Sequence, residues 1–203
     1  MKNEQLFDHL AENYDSAETR YLSKVASTAI RKVLGETEKQ TAMDFGCGTG
    51  LVGLELIDSF RSIHFIDASH KMIAQVESKI KDRRLTNATT HCVDLELDNQ
   101  LSSHADVIFM SLVLHHISDR QKVVTKLFDL LNAGGELIII DINKEESDKA
   151  ELKHRHHNTI DKNELIDLLT DIGFSISETS SILVDEEIMK KSIKSLFIIK
   201  ATK

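Results

Sequence analysis

The stretch Asp44-Phe45-Gly46-Cys47-Gly48-Thr49-Gly50 constrains this chain more than any other. It follows directly on a short apolar run, Thr41–Phe45, and a helical pattern carrying Leu51, Leu54, Leu56 and Ile57 begins near Gly50. Closely spaced glycines let the backbone turn with positive φ and let a ligand approach where no Cβ stands in the way. The helix behind such a turn presents unpaired N–H groups and a partially positive end, which suit a phosphate or a carboxylate. A strand, a glycine turn and a helix in immediate succession are the start of an α/β unit.

The rest of the chain keeps that alternation. Apolar runs at 63–66, 89–93, 106–112 and 136–142 read as strands, and two more are expected at 175–184 and 195–201. Between them lie amphipathic stretches at 70–84 (with Ser69 as N-cap), from Ser118 or Asp119 to Leu131, and from Asp161 to Gly173. Asn132 to Gly135 reads as a turn into the fifth strand. Residues 4–34 read as one helix, with Leu22, Val25, Ala26, Ala29, Ile30 and Val33 on one face and Gly35 as C-cap. The chain contains no proline, so its turns fall to Gly, Asn, Asp and Ser. No repeat or linker marks a second domain in 203 residues. The expected architecture is a doubly wound α/β domain over 1–203, with a seven-stranded, mostly parallel sheet and helices on both faces. In such sheets ligands bind beyond the carboxyl ends of the strands. Asp44, Asp67, Asp94 and Ser111 all fall where an apolar strand stops.

A glycine turn alone separates few functions. Positions 46–51 fail the dinucleotide fingerprint, because Leu51 stands in its last place. Positions 48–53 satisfy it literally, but too far beyond the strand. A carboxylate at Asp44, two residues before the first glycine, would repel a pyrophosphate and suits an ammonium group. Asp67 lies 23 positions after Asp44 at the end of the second strand, where an acid would hold ribose hydroxyls.

These motifs resemble those of the class I, Rossmann-like S-adenosylmethionine-dependent methyltransferases, in the small-molecule branch that includes the ubiquinone and menaquinone biosynthesis enzymes. The resemblance extends to Cys92-Val93-Asp94-Leu95, to Ser111-Leu112-Val113-Leu114-His115-His116-Ile117 with Asp119 following, to the turn at 132–137, and to Gly173-Phe174. Residues 7–15, with Tyr14-Asp15, are similar to the leader that closes over the methionine end. The resemblance implies S-adenosyl-L-methionine as cofactor. It implies that Asp67 takes the ribose hydroxyls, and that Asp94 takes the adenine amino group while the Leu95 N–H reaches a ring nitrogen. Asp44, Gly46, Cys47, Gly48, Gly50, Ala68, Met72, Ser111 and Tyr14 complete the expected cofactor site, with Met72 as core or adenine wall. Residues 1–35 would form a helical lid, and 143–160 a substrate cover.

His115 and His116 are the expected catalytic pair, orienting the acceptor or taking its proton, since imidazole titrates near neutrality, and Asp141 is a further candidate for the base. The alternative is a structural pair with one ring buried. Glu151, His154, His156 and His157 have helix-face spacing, but no second ligand cluster accompanies them and no metal is expected. The basic group Lys79, Lys81, Arg83 and Arg84 reads as a solvated helix end. Asp67→Ala is therefore expected to lose the cofactor and Lys79→Ala to keep it.

A formal net charge of −8 argues against a general nucleic-acid binder. No apolar run approaches the length of a membrane span, and the two cysteines form no disulfide framework. A cytoplasmic enzyme with a small-molecule acceptor is expected, a homodimer being the one assembly entertained. Two rivals stand beside it. A nicotinamide-dependent oxidoreductase is opposed by Asp44 and by the misplaced fingerprint. A non-catalytic S-adenosylmethionine-binding protein on the same fold would bind cofactor and transfer nothing.

Overall fold

The computed structural model describes residues 3–97, 101–143, 160–189 and 193–203. Its centre is a seven-stranded sheet in the order β3-β2-β1-β4-β5-β7-β6. The strands are β1 (Thr41–Phe45), β2 (Ser62–Asp67), β3 (Ala88–Cys92), β4 (Ala105–Ser111), β5 (Leu131–Ile142), β6 (Ser175–Leu183) and β7 (Ser195–Thr202). The first five run parallel, and β7 lies antiparallel to both β5 and β6. The helices are α1 (Asn3–Leu10), α2 (Ala17–Val33), α3 (Leu51–Leu56), α4 (His70–Arg83), α5 (Arg120–Leu130) and α6 (Lys162–Ile172).

Alternation along the strands divides the core into two layers. Val107 and Phe109 of β4 join a cluster with Leu22, Ile30, Leu54 and Val76, on the face covered by α2, α3 and α4. Ile108 and Met110 join Val123, Leu127, Leu165 and Leu169 on the opposite face, under α5 and α6. A strand buried on both faces has no polar side to show, so its sequence is an unbroken apolar run. The chain winds outward from β1 in one direction and from β4 in the other. The loops after these two neighbours therefore diverge and leave a crevice between them.

The N-terminal helix is not continuous. α1 ends at Leu10, a 3-10 turn covers Ala11–Asn13, and α2 begins only after Ser16, whose extended backbone (φ −66, ψ 171) and side-chain oxygen cap Thr19 N–H. The apolar stripe that suggested one helix belongs to α2 alone. That helix closes on Leu34 in an extended conformation (ψ 140), and Gly35 is not among the left-handed glycines. The turn before the fifth strand survives as a bulge: the ladder passes from Ala105↔Leu131 to Val107↔Glu136, and Gly134 takes φ 74. At the far edge β6 is largely exposed. Of residues 143–160 only Asn143 and Ile160 are described, joined by a parallel bridge. Glu151, His154, His156 and His157 lie outside the described residues.

Candidate active site

The glycine turn closes tightly on its surroundings. Cys47 N–H donates to Ile66 O and Gly50 N–H to Cys47 O. Gly46, Gly48 and Gly50 all have positive φ (66, 53 and 80). A Cβ on Gly46 would lie 2.6 Å from Cγ2 of Val113, and one on Gly48 would meet the Tyr14 ring at 3.4 Å. Val113 is brought there by Leu112, a non-glycine residue held at φ 60, so the backbone leaves β4 in a conformation that carries strain at the crevice.

Asp44 is not one of a ring of carboxylates around a ligand. Alternation puts it on the same face of β1 as Ala42, flanked in the sheet by Phe65 and Phe109. It is 3% exposed, and its Oδ2 accepts the Gly53 N–H of α3 at 2.9 Å. Burial pushes its carboxyl up to about 7; the Gly53 hydrogen bond opposes this, and the nearby Asp67 charge adds to it. The folded state thus binds this proton more tightly than the unfolded chain does. The resulting stability is complete below the ordinary value of 3.8 and is lost as pH rises through about 7. We expect urea denaturation of wild type and Asp44→Asn to diverge between pH 5 and pH 8, with the wild type losing about 2 kcal/mol relative to the variant. Parallel pH profiles would contradict an ionisable, buried Asp44.

The crevice holds a cavity of about 420 Å³, within the size range of small-molecule sites. Its floor is the turn at Gly46 and Gly48, and its polar wall is Asp67, Asp94 and Glu96. Asp67 at the end of β2 uses both oxygens to fix the loops: Oδ2 accepts Gly48 N–H at 2.8 Å and Oδ1 accepts Ser69 N–H at 2.9 Å. Burial raises its carboxyl above the ordinary range, against the pull of those hydrogen bonds. Asp94 accepts the Glu96 N–H, and Glu96 in turn accepts the N–H groups of Ser118 and Asp119, tying the loop after β3 to the approach to α5.

The cavity's other wall comes from the leader. The Phe7 ring meets Tyr14 edge-on at 6.4 Å and His116 edge-on at 5.0 Å. Burial, reinforced by the charges of Asp67 and Asp15, pushes the Tyr14 hydroxyl up to about 12, so it remains a protonated donor at neutral pH. Asp8 accepts from Ser69 Oγ and from Lys71 N–H.

Of the residues singled out from sequence, Tyr14, Gly46, Gly48, Asp67, Ala68, Asp94, Leu95, Ser111 and His116 line this cavity. Asp44, Cys47, Gly50, Met72 and His115 do not. Met72 is fully buried in α4 and belongs to the core. The Cys47 thiol is pushed up by burial and by the charges of Asp44 and Asp67. His115 is turned away from the cavity because β5 carries a fully buried carboxylate, Asp141, that needs donors. His115 Nδ1 lies 2.7 Å from Asp141 Oδ1, and the N–H groups of His115 and Ile142 also donate to that carboxylate. The His116 ring, 3.9 Å from that of His115, is the one that reaches the cavity. Lys79 is not a solvated helix end: its Nζ donates to Asp15 Oδ2 at 2.9 Å and to Thr49 O at 2.8 Å. Sequence reasoning also missed Glu96, although its place two residues after Asp94 at a strand end is a legible signal.

Three comparisons bear on this geometry. A methyltransferase domain family matches residues 43–137. A methyltransferase of Schizosaccharomyces pombe is 26% identical over 75% of this chain and 61% of its own length. The malonyl-[acyl-carrier protein] O-methyltransferase of Bacillus cereus is 29% identical over 65% of this chain and 49% of its own length. The chain thus spans between about half and three fifths of these relatives. Among solved structures, an S-adenosylmethionine-dependent methyltransferase from Aquifex aeolicus superposes with a TM-score of 0.72 at 20% identity, covering 98% of each chain.

Proposed function

We propose that this chain is a class I S-adenosylmethionine-dependent methyltransferase, whose cavity binds S-adenosylmethionine and passes the methyl group to a small-molecule acceptor; the methyltransferase domain match over residues 43–137 and the shared fold support this reading. The observation that carries the reading is the pairing of Asp67 and Asp94, at the ends of neighbouring strands, in one cavity floored by Gly46 and Gly48.

The residues present fit the cofactor by their chemistry. Asp67 has lone pairs beyond those that hold Gly48 and Ser69, and two ribose hydroxyls are the donors it would take. Asp94 and the Leu95 backbone would hold the adenine edge. Tyr14, Gly46, Gly48 and Ser111 would surround the amino-acid end, with Tyr14 donating its hydroxyl proton. Ala68 and Leu95 would border the nucleoside.

When bound, the cofactor supplies an electrophilic methyl group that needs no covalent intermediate with the protein. The protein's task is then to hold the acceptor in line with it and to exclude water. Phe7, Val113 and His116 form the part of the wall suited to the acceptor. His116 is the group that would take a proton from an acceptor oxygen or nitrogen, with His115 and Asp141 behind it as its support. The leader within residues 1–35 is the lid.

A 420 Å³ cavity closed by Phe7, Tyr14 and His116 supports a small acceptor rather than a polymer. No helix among the described residues is long and apolar enough to cross a membrane, and Cys47 and Cys92 form no disulfide.

The test is transfer of label from methyl-tritiated S-adenosylmethionine to a panel of phenols, carboxylic acids and amines. We expect transfer to one acceptor class, reduced by about a hundredfold in His116→Ala. Tight cofactor binding without transfer to any acceptor would contradict the transferase reading and leave a binding protein.

A further inference from the structure

The leader is pinned to the body of the protein at a point where one ammonium group touches both the leader and the glycine turn. Asp15 sits in the sharp connection before α2, held by the Ser16 cap and by the hydrogen bonds of Ser16 N–H and Thr19 Oγ1 to Tyr14 O. Its two oxygens face different partners: Oδ1 accepts from Thr49 Oγ1, and Oδ2 accepts from Lys79 Nζ at 2.9 Å. The same Nζ donates to the Thr49 carbonyl at 2.8 Å. Thr49 is 2% exposed and lies between Gly48 and Gly50, both left-handed. Lys79 comes from the C-terminal half of α4, so helix, turn and leader are closed into one three-point knot.

Tyr14 immediately precedes Asp15, and its ring lies on Gly48. The knot therefore fixes the Tyr14 ring over the turn. The pair is partly withdrawn from solvent, with side-chain exposures of 22% for Lys79 and 21% for Asp15. Arg20 also reaches Asp15 Oδ2, at 3.4 Å, but it is 62% exposed. An exposed pair of that kind holds little, whereas removing one partner of a withdrawn, hydrogen-bonded pair leaves the other uncompensated.

We propose that Lys79 and Asp15 are positioning residues that lock the leader, through Tyr14, over the cofactor's amino-acid end and so set how slowly the cofactor leaves. This rests on the S-adenosylmethionine reading of the cavity. The two residues touch the turn and each other, and they act on the ligand through Tyr14 and Gly48.

Stopped-flow binding of S-adenosylhomocysteine to the full chain separates a lock from general damage. A lock that closes after the ligand has entered governs dissociation more than association. We expect Lys79→Met and Asp15→Asn each to raise the dissociation rate about tenfold and to leave the association rate within about twofold of wild type. The double variant should be no faster than either single one, since both break the same contact. Lys79→Arg, which restores a cation and two donors, should recover most of the loss. The thermal midpoint without ligand, measured on each variant, identifies a protein that has failed to fold. Single-variant dissociation rates equal to wild type, or effects that multiply in the double variant, would overturn the lock while leaving the cofactor reading intact. Failure of the wild-type protein to bind S-adenosylhomocysteine would overturn both.

Discussion

Asp67→Ala is expected to weaken S-adenosylhomocysteine binding by about a hundredfold. Two hydroxyl groups bonded to one carboxylate are charge-assisted hydrogen bonds, each worth about 1.5–3 kcal/mol. Part of that strength is already shared with the N–H groups of Gly48 and Ser69, so the loss is set at about 3 kcal/mol, or roughly a hundredfold in Kd. The alanine variant also leaves those two N–H groups without their acceptor, which loosens the turn itself. Asp67→Asn distinguishes the two effects, because it keeps the volume and one acceptor oxygen. We expect it to lose about tenfold in affinity with a thermal midpoint close to wild type. Calorimetric titration of the three proteins checks this. An alanine variant within threefold of wild type would remove Asp67 from the ribose site.

The second large effect falls on stability. Gly53→Ala should cost about 3 kcal/mol and lower the thermal midpoint by roughly 10 °C, even though alanine is the better helix former by about 1 kcal/mol. A Cβ at this position would stand 2.5 Å from Cε1 of Phe65 and 2.6 Å from Oδ2 of Asp44. Neither neighbour has room to yield, since Phe65 is fully buried and Asp44 is 3% exposed. Pushing α3 away to relieve the overlap would also break the hydrogen bond from Gly53 N–H to Asp44. The variant's denaturation midpoint decides the matter, and a protein as stable as wild type would show that the contact between α3 and β1 is slack.

The positions of Asp67 and Asp94 were legible in the sequence because period and burial leave clear marks. An apolar run such as 106–112 has to be a covered strand, and a polar residue that ends it has to point to the rim. The same reasoning misjudged Asp44. It is the penultimate residue of β1, so alternation with Ala42 turns it under α3 instead of toward the cavity, where Phe65 and Phe109 flank it. The choice between His115 and His116 had no local signal either. The two are adjacent, and Asp141, 26 positions later on β5, decides which ring turns inward. Lys79 looked like an ordinary solvated lysine because its partner Asp15 lies 64 positions away. The break at Tyr14–Ser16 escaped for a related reason: the apolar stripe of α2 says where that helix packs, and nothing about the leader before it.

The most direct test of the account is a crystal structure of the protein with S-adenosylhomocysteine. The account predicts both ribose hydroxyls within hydrogen-bond distance of Asp67, the adenine edge against Asp94 and Leu95, and the amino-acid end over Gly46 and Gly48 beneath Tyr14. A nucleoside bound away from Asp67, or an empty crevice at saturating ligand, would contradict it.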